Sequence, residues 1–226
     1  MKQTFYILTL LFGLLSCNSR TEKTVDNSTV TKTADDKVKL HKLEKLFVVG
    51  DFDGDRNQDT IFQHNFSRLT KSEIEQAADP FQNEWDTVVK WFYDQDADLY
   101  LTINKSGNDS LSFGTAQGLY CLINIGDNNA DGKDEIALVI DYLDFSRVNS
   151  CKIYSLCKDQ WTLLKQFGIH EDAFNFTSEK APLFKIIKEY LVNHDGKWVY
   201  KDYSQEGYDN PEDVGKMLPL KLDKCK

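Results

Sequence analysis

Two short acidic segments, 51–59 and 127–135, constrain the fold of this chain more than any other feature. Each begins at the Asp of a Gly-Asp pair that follows an apolar run, and each is followed by a second run rich in Ile, Val, Leu or Phe. Runs of this composition are typical of β-strands. The same strand–loop–strand pattern therefore occurs twice, 76 positions apart, which predicts two related β units in one chain.

Oxygen-bearing side chains recur at every second position of these segments. In the second segment they are Asp127, Asn129 and Asp131, followed by Gly132 at the sixth place and Glu135 at the ninth. A hard cation such as Ca²⁺ takes roughly six to eight oxygen ligands, which alternate side chains of a bent loop can supply. The alternative is an acidic turn without metal. A turn alone does not need several converging carboxylates, so we expect cation binding.

The first segment differs from the second at the place where the chain must bend. Its carboxylates are Asp51, Asp53, Asp55 and Asp59. Arg56 stands at the sixth place, where the second segment has glycine. A side chain in the left-handed region costs roughly 1–2 kcal/mol per residue. We therefore expect this loop to bend at Gly54 or Asn57 instead.

An EF-hand would require Glu at the twelfth place and a helix on each side. The twelfth residues are Phe62 and Leu138, and the flanking runs indicate strands, so this class is excluded. The segments instead resemble the calcium loops of integrin-alpha-like FG-GAP or VCBS repeats, in which Gly-Asp-x-Asn/Asp-x-Asp-Gly-x-x-Asp/Glu joins two strands of a propeller blade. That resemblance implies Ca²⁺ as the cofactor. The ligands it implies are Asp51, Asp53, Asp55, Asn57, Asp59, Asp127, Asn129, Asp131, Lys133 and Glu135, with Asn57 and Lys133 contributing main-chain carbonyls.

The predicted fold is mainly β, built of propeller-blade-like antiparallel units, with an α+β arrangement as the alternative. A closed propeller needs about four blades or more, and two units cannot form one. Between the two loops, apolar residues at helical spacing predict a short helix over about 80–93, with Asp79 as its N-cap and Pro80 at its first position. Asp94, Asp96 and Asp98 also alternate, but without a bend glycine they favour a solvated loop over a third cation site.

The N-terminus predicts export. Lys2 precedes an apolar run over 5–15 that is too short to span a bilayer, and Ser16-Cys17 follows it. This arrangement resembles a bacterial lipoprotein signal, which implies lipid attachment to Cys17. An ordinary secretory signal is the alternative. The expected divisions are 1–16 signal peptide, 17–37 polar tether and 38–226 a single β-rich domain, held at the outer membrane with its periplasmic or surface orientation open.

Composition and motifs narrow the function classes. The formal net charge of −9 argues against nucleic acid as a partner. Four cysteines besides Cys17 permit three disulfide connectivities in an exported protein: Cys121, Cys151, Cys157 and Cys225. No nucleophile elbow, zinc-protease or phosphate-loop motif is present.

Three functions remain open at this stage. The first is a lipid-anchored calcium-binding module with a protein or glycan partner. The second is a cell-envelope hydrolase with a calcium-stabilised fold. The third is a structural envelope component in which calcium only stabilises the fold.

Overall fold

The computed structural model describes residues 37–103, 110–174, 186–205 and 215–225. Antiparallel β-strands dominate these ranges, and they contain one short α-helix, so the prediction of a mainly β fold with a short helical insertion is confirmed. The described sheets do not close into a barrel. The predicted signal peptide, the lipidation site and all of the tether except Lys37 lie outside the described residues.

The first acidic loop joins the first two strands of a four-stranded antiparallel meander. The elements of this half are β1 (Leu40–Lys42), β2 (Phe47–Gly50), β3 (Asp59–Ser67), β4 (Ser72–Glu73), β5 (Gln76–Ala78), α1 (Trp85–Asp94), β6 (Ala97–Ile103) and β7 (Leu111–Gly114). The first sheet has the strand order β2-β3-β6-β7, and the short β4 also pairs with β3. Strands β1 and β5 form a separate two-stranded ribbon.

The second acidic loop joins the first two strands of another four-stranded meander. Its half contains β8 (Gly118–Gly126), β9 (Glu135–Asp141), β10 (Val148–Cys157), β11 (Gln160–His170), β12 (Leu191–His194), β13 (Lys197–Tyr200) and β14 (Leu218–Pro219), with 3-10 turns at Glu171–Phe174 and Tyr203–Gln205. The second sheet has the order β8-β9-β10-β11. Strands β12, β13 and β14 form a small third sheet. Each acidic loop thus occupies the same place in a four-stranded antiparallel sheet.

Strand β9 in the middle of the second sheet is buried on both faces, which explains its apolar run over 136–140. Ile136 and Leu138 pack with Leu101 of the first sheet in one core cluster. Ala137 and Val139 point the other way and pack with Trp198 of the third sheet. Full burial of an aliphatic side chain contributes about 1.5–3 kcal/mol, so β9 anchors both layers.

The helix begins later than its sequence predicts. It spans Trp85–Asp94 and buries Val88 and Phe92, which are four residues apart on one face. The predicted N-cap, Asp79, instead closes a turn, because its carboxylate accepts the N–H of Phe81 at 2.8 Å. The prediction of Asp79 as N-cap and Pro80 at the first helical position is therefore wrong. Among the described residues, no helix is long and apolar enough to cross a membrane.

The structure selects one disulfide, between Cys157 and Cys225. Cys121 and Cys151 are buried thiols, and both are register partners of Val139 in the strand between them. Two strand spacings of about 4.8 Å separate such residues by about 10 Å, beyond the roughly 7 Å between Cα atoms that a disulfide spans. Burial raises the pKa of Cys121 to about 12, which keeps this thiol protonated and unreactive.

Candidate metal centres

Both acidic loops bend at the same two places, the fourth and the sixth. In the second loop, Ala130 and Gly132 have φ of 58° and 91°. In the first, Gly54 and Arg56 have φ of 83° and 69°. Gly54 bends as its sequence predicts, whereas the prediction that Arg56 avoids the left-handed region is wrong, and Asn57 is not a bend residue. Each loop thus has glycine at one bend and tolerates a side chain at the other.

Asp127 holds the second loop in its bent form. Its Oδ1 accepts the N–H of Asp131 at 3.1 Å, and its Oδ2 accepts the N–H of Gly132 at 2.9 Å. Asn129 Oδ1 also accepts the N–H of Asp131, at 3.0 Å, and Asp131 Oδ1 accepts the N–H of Lys133 at 3.1 Å. Such side-chain bonds to nearby backbone compete with regular structure and favour turns. They fold the alternating side chains inward.

The first loop repeats this arrangement. Asp51 Oδ1 accepts the N–H of Gly54 at 2.9 Å, and its Oδ2 accepts the N–H of Arg56 at 3.0 Å. Asp53 Oδ1 accepts the N–H of Asp55 at 2.9 Å, in the place of the Asn129 bond. The two loops therefore share a hydrogen-bonding scheme, although they differ in which bend position carries glycine.

In the second loop, Asp127, Asp131 and Glu135 form a cluster in which one carboxylate oxygen from each lies within 4.8 Å of the others. Glu135 is fully buried, and its Oε2 accepts the N–H of Asn128 at 2.8 Å. Its Oε1 is also buried and has no hydrogen-bond partner in the described part of the chain. An unsatisfied buried acceptor costs about 1–3 kcal/mol, more when charged. This atom has the chemistry of a ligand for a hard cation.

The electrostatics of Glu135 point the same way. Burial raises its pKa to about 7, and the Asp131 and Asp127 carboxylates add to the rise, while the N–H of Asn128 and the side chain of Ser155 oppose it. Both burial and neighbouring like charge disfavour the ionised form. A bound divalent cation would offset both effects.

In the first loop, the corresponding cluster consists of Asp51, Asp53 and Asp59. Asp59 is buried, and its Oδ2 accepts the N–H groups of Phe52 at 3.1 Å and Asp53 at 3.3 Å. Asp55 lies outside this carboxylate cluster. Its Oδ1 and Oδ2 instead accept the backbone and side-chain N–H of Asn57, and these bonds lower the Asp55 pKa.

The two loops lie side by side, joined by a residue that the sequence pattern does not single out. The N–H of Asp134 donates to the carbonyl of Asp51 at 2.8 Å, and Asp134 Oδ2 accepts the N–H of Asp51 at 3.1 Å. Asn124 Nδ2 donates to the same Oδ2 at 2.8 Å and to the Val49 carbonyl at 3.0 Å. A Cβ at Gly50 would meet Asp134 Oδ2 at 2.7 Å, so this close approach requires glycine. The only sequence signal is that the eighth place carries Asp here and Gln58 in the first loop.

The C-terminal segment covers the second loop. Asn129 Nδ2 donates to the carbonyl of Asp223 at 3.2 Å, Lys224 Nζ donates to the carbonyl of Ala130 at 2.7 Å, and the N–H of Cys225 donates to Asp131 Oδ2 at 3.3 Å. The Asp223 bond fixes the Asn129 amide with its oxygen towards the loop. These contacts act on the cluster from outside, as the outer hydrogen bonds of metal sites do.

Two acidic clusters of this protein can therefore hold a metal ion, one in each loop. Carboxylate oxygens form both clusters, and the Asn129 amide oxygen belongs to the second loop as well, which suits a hard cation. Lys133 Nζ donates to the carbonyl of Leu156 at 2.8 Å.

No family model, curated protein or solved structure matches this chain.

Proposed function

We propose that this chain is an exported, lipid-anchored protein of the outer membrane whose β-rich module binds Ca²⁺ in loops 51–59 and 127–135. The observation that carries the proposal is Glu135, a fully buried carboxylate whose Oε1 has no hydrogen-bond partner among the described residues. It stands within 4.8 Å of carboxylate oxygens of Asp127 and Asp131. Three acids converging on one point repel one another unless a cation lies between them.

The ligand chemistry favours Ca²⁺ over other metals. The clusters contain carboxylates and no His or Cys, whereas Zn²⁺ is bound mainly through nitrogen and sulfur. Mg²⁺ demands near-ideal octahedral geometry at about 2.0–2.1 Å, while Ca²⁺ accepts irregular sets at about 2.3–2.6 Å. A loop whose oxygens come from Asp, Asn and main-chain carbonyls fits the larger ion. The resemblance to FG-GAP or VCBS loops leads to the same cation.

Both loops are proposed to serve one structural purpose. The first loop connects two strands of the first sheet, and the second loop connects two strands of the second sheet. Asp134 hydrogen-bonds one loop to the other. Cations bound in both would neutralise the acidic surface where the loops meet and stabilise the junction. The resulting module is a binding or structural component of the cell envelope.

Calcium dependence of melting tests this proposal. Millimolar Ca²⁺ is expected to stabilise the full-length protein in detergent, relative to chelator, by about 1 kcal/mol per site at a Kd of about 10⁻⁴–10⁻³ M. Asp131→Ala and Asp53→Ala should each remove about half of that shift. Asp159→Asn, in an exposed turn outside both clusters, is the matched control and should keep all of it. Superimposable melting curves in Ca²⁺ and in chelator would contradict the proposal.

The anchor has its own test. Lys2, the apolar run and Ser16-Cys17 support lipidation of Cys17, which would place the loops in a calcium-rich compartment. Mass spectrometry of the mature protein is expected to show residue 17 as the first residue, carrying acyl chains, and Cys17→Ser should release the protein from the membrane fraction. A mature N-terminus with an unmodified Cys17 would contradict this part of the proposal.

A further inference from the structure

The outer face of the first sheet, opposite its packed core, carries an open groove of about 710 Å³. This volume lies within the range of about 300–1,000 Å³ that is typical of sites for small ligands. Strands β3 and β6 form its floor, with β2 and β7 at its sides. Because side chains alternate across a strand, the β3 and β6 aromatic residues of the groove point away from the core between the sheets.

Aromatic rings form the floor of the groove, where the solvent face of an antiparallel sheet is ordinarily polar. Tyr100 stacks on His64 with 4.8 Å between ring centroids and an angle of 12°. Phe66 lies 6.4 Å from Tyr100, and Phe47 lies 6.5 Å from Phe62. Phe47 remains 59% exposed. Phe47 therefore presents an exposed apolar ring to the groove, whereas His64 covers one face of Tyr100.

A fixed row of polar groups begins on the β4 side of the groove, where Glu73 is the register partner of Phe66. His64 Nδ1 lies 2.8 Å from Glu73 Oε1, and His64 Nε2 lies 2.8 Å from Thr102 Oγ1. Lys45 Nζ donates to Glu73 Oε2 at 2.8 Å. Each group is oriented by its neighbour before any ligand arrives, and such pre-organisation reduces the entropy cost of binding.

A second polar set lies on the opposite side of β3, where Asp98 is the β6 partner of Phe66. Arg68 lies 2.9 Å from Asp98 Oδ2, and Ser112 Oγ donates to Asp98 Oδ1 at 2.9 Å. Arg68 is half exposed, so donors of its guanidinium still face solvent. The groove therefore combines aromatic rings with hydrogen-bonding groups on both sides of β3.

The charge balance of the groove selects its ligand. The lining contains two cations, Lys45 and Arg68, and two carboxylates, Glu73 and Asp98, so its formal charges cancel. Each cation also has a second carboxylate neighbour outside the lining, Glu75 at 2.8 Å from Lys45 and Asp96 at 3.7 Å from Arg68, so neither cation is left without an anionic partner. A charged ligand would have to compete with one of these ion pairs. An uncharged ligand with many hydroxyls can use the remaining donors and acceptors and lay its C–H faces on the rings.

We propose that this groove binds a neutral oligosaccharide, through ring stacking on Phe47, apolar contact with the Tyr100 ring, and hydrogen bonds that Arg68 donates and Glu73 accepts. The assignment deepens the binding role proposed above and rests on that role, but it does not depend on either calcium loop. It makes the protein a lipid-anchored receptor for uncharged glycan.

Calorimetric titration of the full-length protein in detergent tests the groove. The probes are neutral hexasaccharides of glucose, mannose, xylose and N-acetylglucosamine. At least one is expected to bind saturably, and Phe47→Ala and Tyr100→Ala should each weaken that binding about tenfold. Arg68→Gln should weaken it as well. Phe81→Ala is the matched control, because Phe81 is 95% exposed and does not line the groove, and it should bind as the wild type does.

Several results would overturn the assignment. These are no saturable binding of any probe, equal loss in Phe81→Ala, tighter binding of a polyuronic acid than of every neutral probe, or cleavage of the bound oligosaccharide. Melting in Ca²⁺ and chelator, measured on the same samples, separates the two proposals. A calcium shift without glycan binding overturns the groove alone, and glycan binding without a calcium shift overturns the calcium loops alone.

Discussion

Replacing Cys225 with serine is expected to lower the free energy of unfolding by about 4 kcal/mol and to weaken Ca²⁺ binding at the second loop alone. The disulfide links residues 68 positions apart, and closing a loop of that length removes conformational entropy from the unfolded chain, which raises its free energy by about this much. The same bond holds Cys225 and its neighbours against the second loop, where they contact Asn129, Ala130 and Asp131. Loss of outer contacts of this kind weakens metal binding about tenfold or more.

Denaturant unfolding and calcium titration under non-reducing conditions measure the two effects. Titrating in the Asp53→Ala background isolates the second loop, and the Asp131→Ala background isolates the first. Lys224→Ala is the matched control, because it keeps the disulfide and removes only the bond to the Ala130 carbonyl. It should cost about 1 kcal/mol or less. Equal weakening of both loops by Cys225→Ser would show that the C-terminal segment does not act on the second site.

Glu135→Gln is expected to stabilise the calcium-free protein at pH 8 while abolishing the calcium response of the second loop. Burial and the neighbouring Asp131 and Asp127 carboxylates raise the Glu135 pKa to about 7, so its ionised form destabilises the fold. Glutamine has nearly the same shape and no charge. We expect a gain of about 1–2 kcal/mol in chelator, allowing for solvent screening, and loss of about half of the Ca²⁺-dependent shift in melting temperature.

The raised pKa of Glu135 determines whether stability rises or falls with pH. The folded pKa of Glu135 lies above its unfolded value of 4.5, so the protonated side chain contributes stability that is present below pH 4.5 and lost as pH rises through 7. In chelator, wild-type stability should therefore fall between pH 5 and pH 8, and saturating Ca²⁺ should reduce or reverse the fall. Asp141, whose pKa burial raises to about 6, adds a decline at lower pH in both proteins.

Melting curves in Ca²⁺ and in chelator from pH 5 to pH 8 provide the measurement. The difference between wild type and Glu135→Gln isolates the glutamate, because Asp141 is common to both. Wild-type stability in chelator that rises from pH 6 to pH 8 would contradict the assignment. So would a second-loop calcium response that survives in Glu135→Gln.

The sequence alone was sufficient for the β class of the fold and for the position of the acidic loops. Strand residues point to opposite faces in turn, so burial can be predicted from the pattern of apolar residues. Alternation along 59–67 indicates one buried face, and the continuous apolar run 136–140 indicates two. The sequence does not predict where the helix starts, because Asp79 and Pro80 suit a turn as well as a helix N-terminus. The choice depends on Val88 and Phe92 reaching the β5 ribbon, and this packing is not local.

The candidate site likewise depends partly on local sequence patterns and partly on tertiary contacts. Alternating oxygens placed Asp127, Asp131 and Glu135 in one loop, because a bent loop brings every second side chain inward. Only the tertiary structure decided that Asp55 stays outside the first cluster and that Asp134 joins the two loops.

What the sequence by itself determined is therefore the local chemistry: two loops able to gather oxygens between strands. The tertiary structure decided which of these oxygens meet, which cysteines pair and which sheet face forms the groove. The physical reason is that short-range patterns encode turns and strand faces. Contacts such as Cys157–Cys225 and Asp51–Asp134 join residues 68 and 83 positions apart, and they arise only when whole sheets pack together.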